Sequence, residues 1–240
     1  MKVCILETDR PDDAKLAGHG TYVDMLEALL GPALPEARFD KIDVTAAALP
    51  EDPRRFDAYL ITGARAGVYD DHPWISPLMA FLRKVAEARV PLFGVCFGHQ
   101  VMAQAFGGEA RKAECGWVLG RNTQTLTSDG EAIFGAGPLE VLSIHQDQVI
   151  TKPPNSRRLV DNAASPNGAL IYDDFPAMSV QFHPEFEREF FAKLLDMFAG
   201  SRLSVEQVES AKTGLDRPLD TERIARGIAD FLRSRTLSPE

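Results

Sequence analysis

Apolar positions along the chain follow two periods that alternate. Lys2–Glu7 is a short apolar run that reads as a strand. Across Gly18–Leu30, the residues Tyr22, Met25, Leu26, Leu29 and Leu30 recur at helical spacing, and Gly31-Pro32 stops the run. Ala37–Val44 is strand-like, and Asp57–Thr62 reads as a second buried strand closed by Gly63. Trp74–Ala88 sets Ile75, Leu78, Met79, Leu82 and Val85 on one side of a helix. Val90–Val95 is a short apolar strand ending at Cys96, and Phe97–Phe106 returns to helical spacing. This alternation predicts an α/β fold, a mostly parallel sheet with helices on both faces.

From about Gly116 to Val180 the runs shorten. Thr123–Thr127, Val141–Ile144, Arg158–Val160, Ala169–Tyr172 and Met178–Phe182 are separated by Gly, Pro, Asn and Asp clusters, which predicts an antiparallel extension whose last strand returns to the core. Glu187–Ala199 then carries a wide apolar stripe of Phe186, Phe190, Phe191, Leu194, Leu195 and Phe198, a core helix by its pattern. Beyond Ser201, Asp220 stands as an N-cap before the stripe Ile224, Ile228, Phe231 and Leu232. The expected organisation is one domain over 1–200 and a helical tail over 201–240 packed on it, with no internal repeat.

Composition narrows the function classes. With 240 residues and 45% hydrophobic content the chain can bury a sizeable core. Its formal charge of −9 repels phosphate backbones and anionic lipid, which argues against nucleic-acid and membrane partners. No apolar run approaches the ~20 residues that span a bilayer, and the start of the chain lacks a signal-peptide pattern. The three cysteines, Cys4, Cys96 and Cys115, are an odd and sparse set, as expected of reduced thiols in the cytoplasm.

One cysteine has a chemical context. Gly94-Val95-Cys96-Phe97-Gly98-His99-Gln100 sits where a buried strand meets a helix. A nucleophile there projects from a sharp turn, small neighbours let the backbones approach, and the helix N-terminus favours a thiolate. The Phe97 amide is then placed to bond an oxyanion. A buried structural cysteine beside ordinary turn glycines fits the same letters. His183-Pro184-Glu185 follows a strand, and in an extended chain His183 and Glu185 share a side. A carboxylate that orients an imidazole beside a thiol is the logic of a nucleophilic triad; a surface or capping pair is the plainer alternative.

Together the two motifs resemble the class I, triad-type glutamine amidotransferases, over roughly the first 200 residues. Gly94–Gln100 matches that family's Gly-x-Cys-x-Gly-x-Gln and His183–Glu185 its His-Pro-Glu, in the same chain order. Tyr69–Ile75, Gly116-Trp117 and His145-Gln146-Asp147-Gln148-Val149 resemble the stand-alone GMP-synthase-like branch, and the tail is similar to that of its γ-glutamyl peptidase-like members. The resemblance implies a flavodoxin-like sheet, with Cys96 as nucleophile, His183 as base and acid, and Glu185 as orienting carboxylate. It also implies backbone amides of Gly63 and Phe97 as the oxyanion hole, a substrate pocket lined by Gln100, His145, Gln146 and Asp147, and neither metal nor cofactor.

The implied activity is hydrolysis of a γ-glutamyl amide, either glutamine with ammonia passed to a separate synthetase subunit, or γ-glutamyl peptides and glutathione conjugates taken by a free-standing peptidase. A flavodoxin-like binding protein with a silent site is the third reading. Two departures stand out: Thr62-Gly63-Ala64 replaces the family's Gly-Gly, and the residues past 200 are too few for a fused synthetase. Cys4 is expected in the core, and Cys115, His19, His72 and His99 lack catalytic context.

Overall fold

The computed structural model describes residues 1–11 and 16–236. In chain order the first half gives β1 (Lys2–Glu7), α1 (Tyr22–Leu30), β2 (Arg38–Asp43), β3 (Ala58–Ile61), α2 (Ile75–Glu87), β4 (Leu92–Val95) and α3 (Phe97–Ala105). The second half gives β5 (Glu109–Lys112), β6 (Val118–Leu126), α4 (Ser128–Phe134), β7 (Leu139–His145), β8 (Asp147–Thr151), β9 (Ser156–Arg158), β10 (Val160–Asp161), β11 (Ala169–Tyr172) and β12 (Ala177–Val180). The helices α5 (Arg188–Phe198), α6 (Val205–Lys212) and α7 (Thr221–Thr236) close the chain.

The central sheet runs β2-β1-β3-β4-β12-β11-β9. Its first five strands are parallel, and the last two pairings, β12-β11 and β11-β9, are antiparallel. Taken alone, the parallel strands have the flavodoxin-like order, in which sites form beyond the carboxyl ends of the strands. Successive residues of β1 face opposite layers: Val3 and Ile5 join one core cluster, Cys4 and Leu6 the other. Both faces are covered, so the strand reads as a continuous apolar run. The first layer includes residues of α1 and α7, and the second is packed by α2 and α3.

The mostly parallel α/β architecture is as expected; the antiparallel part divides. Only β11 and β9 extend the central sheet, while β10-β6-β7 and β5-β8 form separate small sheets. Arg158–Val160, expected as one strand, splits between β9 and β10, because Leu159 turns its amide to Ala169 O and its carbonyl to Thr127 N.

The start of α1, at Tyr22 where its periodic residues begin, lies later than the expected Gly18. Gly20 takes φ 77°, and Thr21 caps the helix through a reciprocal box with Asp24. Asp220 flanks α7, but its Oδ2 accepts from Glu140 N on β7. Further along α7, the Arg223 guanidinium donates to the carbonyls of Phe134 through Pro138, closing the C-terminus of α4. No described helix is long and apolar enough to cross a membrane.

Candidate active site

The carboxyl ends of β3, β4 and β12 converge, and each is followed by a residue singled out in the sequence. Cys96 follows β4 directly, at φ 51° and ψ −101°, one of two non-glycine positive-φ residues among those described. For an L-residue that conformation is unfavourable and persists only where the surroundings over-determine it. Here they do. The Cys96 amide donates to Val180 O (2.8 Å), and the Gly98 amide donates to Thr62 O (3.2 Å). A Cβ on Gly94 would stand 2.5 Å from the Gly98 carbonyl carbon, and one on Gly98 would stand 2.5 Å from Ile61 O. Both positions therefore need glycine because backbone lies against backbone.

Gly63 lies against the same turn: a Cβ there would be 3.2 Å from His183 Cε1 and 3.6 Å from Cys96 Cβ. Thr8 Oγ1 donates to the Gly63 carbonyl (3.0 Å) and to the Thr62 carbonyl (3.2 Å). Among the described residues the amides of Gly63 and Phe97 have no acceptor. Both amides belong to the turns that adjoin Cys96. Ala64 is not among the positive-φ residues, so replacing the second glycine of the family's pair asks for no left-handed backbone.

His183 and Glu185 follow β12 on one side, as their spacing predicts. His183 Nδ1 donates to Glu185 Oε1 (2.8 Å), and the ring lies within electrostatic reach of the Cys96 side chain. The imidazole lies flat on Phe186, with ring centres 4.0 Å apart. Burial disfavours the imidazolium, but Glu185, Cys96 and the hydrogen bond to Glu185 outweigh it and raise the His183 pKa to about 10. A proton is thus held on the imidazole beside the sulfur.

The remaining candidates meet around one cavity of about 430 Å³, open to solvent, into which Gly63, Cys96, Gln100, His145, Gln146, Asp147 and His183 all face. Gln100 Nε2 donates to Asp147 O (2.9 Å) and to Gln181 Oε1 (3.2 Å), and Gln181 Nε2 points to Cys96 Sγ (3.6 Å). His145 Nδ1 donates to the same Asp147 carbonyl (3.2 Å), and burial drives its pKa down to about 3, so the ring is neutral. Partial burial raises the Asp147 carboxyl, which accepts from Tyr69 Oη (2.8 Å) across the mouth of the cavity.

The histidines and cysteines without expected roles lie elsewhere or serve packing. Burial pushes the Cys4 thiol up to about 12, and Cys115 is exposed. Burial also holds His99 neutral near pKa 3, with Nδ1 on Ser179 Oγ (2.8 Å). His72 stacks on Trp74, and His19 meets Phe190 edge-on. Among the described residues no cluster of His, Cys, Asp and Glu could hold a metal ion.

Gln181 is a functional candidate that sequence reasoning missed. Its signal is the alternation Ser179, Gln181, His183 between Met178, Val180 and Phe182, which places three polar side chains on one side of a buried strand. Trp117, of the Gly116-Trp117 segment noted in the sequence, lines the cavity, as do Lys112 and Arg202, which no local pattern announces.

The profile of the family described as glutamine amidotransferase class-I matches residues 39–198. The chain belongs to this family. A glutamine amidotransferase-like protein of Schizosaccharomyces pombe is 28% identical over 243 residues, covering 96% of this chain and 98% of its own. Gamma-glutamyl peptidase 4 of Arabidopsis thaliana is 26% identical, over 83% of this chain and 82% of its own. A glutamine amidotransferase structure from Thermotoga maritima superposes with a TM-score of 0.75 over 99% of each chain, at 18% identity, a likeness of fold alone. Membership carries the flavodoxin-like class I fold, and its γ-glutamyl peptidase-like relatives set the frame for activity.

Proposed function

We propose that the protein hydrolyses a γ-glutamyl amide bond through a Cys96 thioester. Cys96 Sγ attacks the δ-carbonyl carbon of the γ-glutamyl group, the carbonyl electron pair moves to oxygen, and the amides of Gly63 and Phe97 receive the oxyanion. As the oxyanion collapses, the C–N bond breaks and His183 gives its proton to the leaving nitrogen. Neutral His183 then takes a proton from water, whose oxygen attacks the thioester carbonyl. The C–S bond breaks, and glutamate departs as the Cys96 thiolate returns. Glu185 fixes the ring through Nδ1 and stabilises the imidazolium. Gln100, His145, Gln146 and Asp147 form the wall that takes the amino-acid head.

The observation that carries this reading is the meeting of Cys96, the Glu185-bound imidazole of His183 and the amides of Gly63 and Phe97 at one turn. Relatives named gamma-glutamyl peptidase support a reading in which the substrate is a γ-glutamyl peptide rather than glutamine. Three free cysteines are in keeping with a cytoplasmic location.

Purified protein is expected to release glutamate from γ-glutamyl peptides without a second protein, and Cys96→Ala is expected to lower that rate by at least about 1,000-fold. Absence of glutamate release from both peptides and glutamine would overturn the proposal. Glutamine turnover that appears only with a separate synthetase subunit would reassign the protein as an ammonia donor.

A further inference from the structure

The cavity is larger than a reaction at one sulfur needs, and its surplus lies along one wall. That wall begins at the imidazole, because Phe186 is stacked on His183. It continues through Leu194 and Phe198 of α5 and ends at Arg202, these three spaced four residues apart. Four-residue spacing stacks helical side chains on one face, and the turn after α5 keeps Arg202 in line by donating Arg202 N to Phe198 O (3.1 Å). The guanidinium carbon stands over the Phe198 ring, 5.3 Å from its centre. The stripe is thus apolar near the reacting atoms and cationic at its far end.

Arg202 differs from the other arginine of the cavity. Arg65 grips Asp9 through Nε and Nη2 (both 2.7 Å). Arg202 is exposed, and among the described residues no carboxylate lies within ion-pair distance of it. A planar donor fork standing at the end of an apolar wall suits a carboxylate joined to an apolar group.

The position of the wall fixes which part of a substrate would meet it. On the proposed hydrolysis, His183 protonates the leaving nitrogen, so whatever that nitrogen carries lies on the His183 side. The γ-glutamyl head takes the other side, where Gln100, His145 and Asp147 meet. We propose that the Leu194–Phe198–Arg202 wall reads the leaving group and selects γ-glutamyl amides of amino acids and peptides. The apolar side chain of the leaving residue rests on Leu194 and Phe198, and its carboxylate meets Arg202. Ammonia offers neither feature, so glutamine gains nothing from the wall. The inference rests on the proposed hydrolysis for its direction and on the cavity wall for its chemistry.

A matched pair of compounds separates the two. γ-Glutamyl-phenylalanine and γ-glutamyl-phenethylamide differ only in the carboxylate. Wild-type kcat/KM is expected to favour the first by about tenfold, the scale of one charge-assisted fork contact. Arg202→Gln is expected to bring that ratio close to one, and Arg202→Lys to restore part of it. Equal use of the two compounds by wild type, or a ratio that survives Arg202→Gln, would overturn the assignment. If neither compound is hydrolysed, calorimetric titration of the pair into Cys96→Ala protein decides the wall by itself. Tighter binding of the carboxylate member, lost when Arg202→Gln is added, sustains the wall, and equal binding removes it.

Discussion

Cys96 and Arg202 face the same cavity, yet different forces hold them in place. Around Cys96 the backbone is gripped from every side: by Val180 O, by Thr62 O, and by Gly94 and Gly98 pressed against their neighbours. Arg202 stands exposed on a turn, with an aromatic ring beneath it. Where backbone fixes a position, a substitution disturbs the fold as well as the chemistry. Where only a side chain occupies it, exchange alters recognition and leaves the scaffold alone. On the proposed chemistry, reactivity and selectivity would lie in parts of one cavity that can change independently.

The hardest test of the fixed side is Gly98→Ala. Its Cβ would fall 2.5 Å from Ile61 O, so backbone must move, and a loss of about 2–4 kcal/mol is expected in chemical denaturation. The Phe97 amide moves with it, and kcat/KM is expected to drop about 100-fold or more, as for a lost oxyanion donor. A variant as stable and active as wild type would break the contrast at its root.

Glu185→Gln sharpens the contrast without moving backbone. The folded pKa of His183 stands above its ordinary 6.5, at about 10. Its charge therefore adds stability that is complete below pH 6.5 and disappears as pH rises through the folded value. Between those limits the wild-type unfolding free energy is expected to fall by up to about 1.4 kcal/mol per pH unit from this group. Removing the Glu185 charge leaves burial to dominate, so His183 loses its raised pKa and the slope should flatten in denaturation curves taken from pH 6 to 10. Activity is expected to fall about 100-fold, because the ring loses its orienting partner. The smallest effect belongs to the mouth of the cavity. Tyr69→Phe removes the hydrogen bond to Asp147 and is expected to raise KM about threefold with kcat unchanged.

The same division explains what the letters of the chain disclose. Asp57–Thr62 and Val90–Val95 are legible as strands because both of their faces are buried, and Cys96, His183 and Glu185 because short local patterns dictate their backbone. The strand β8, by contrast, begins with Asp147-Gln148 and pairs with β5, nearly forty residues earlier; its identity is set by a distant partner. Likewise a helix drawn from Gly18 would run through Gly20 at positive φ, and the Thr21–Asp24 box decides where α1 starts. Arg202 and Lys112 reach the cavity only through the fold, one after α5 and the other from β5. Gln181 lies between these cases, visible as polar alternation but without a chemical motif to give it a role.

The left-handed backbone at Cys96 has a bearing on descent. Glycine adopts φ near 51° freely, whereas an L side chain there costs about 1–2 kcal/mol. On the proposed chemistry, mutation to glycine at this position would relieve strain and remove the nucleophile in one step. The sulfur would then be kept at a conformational cost that only its reaction repays.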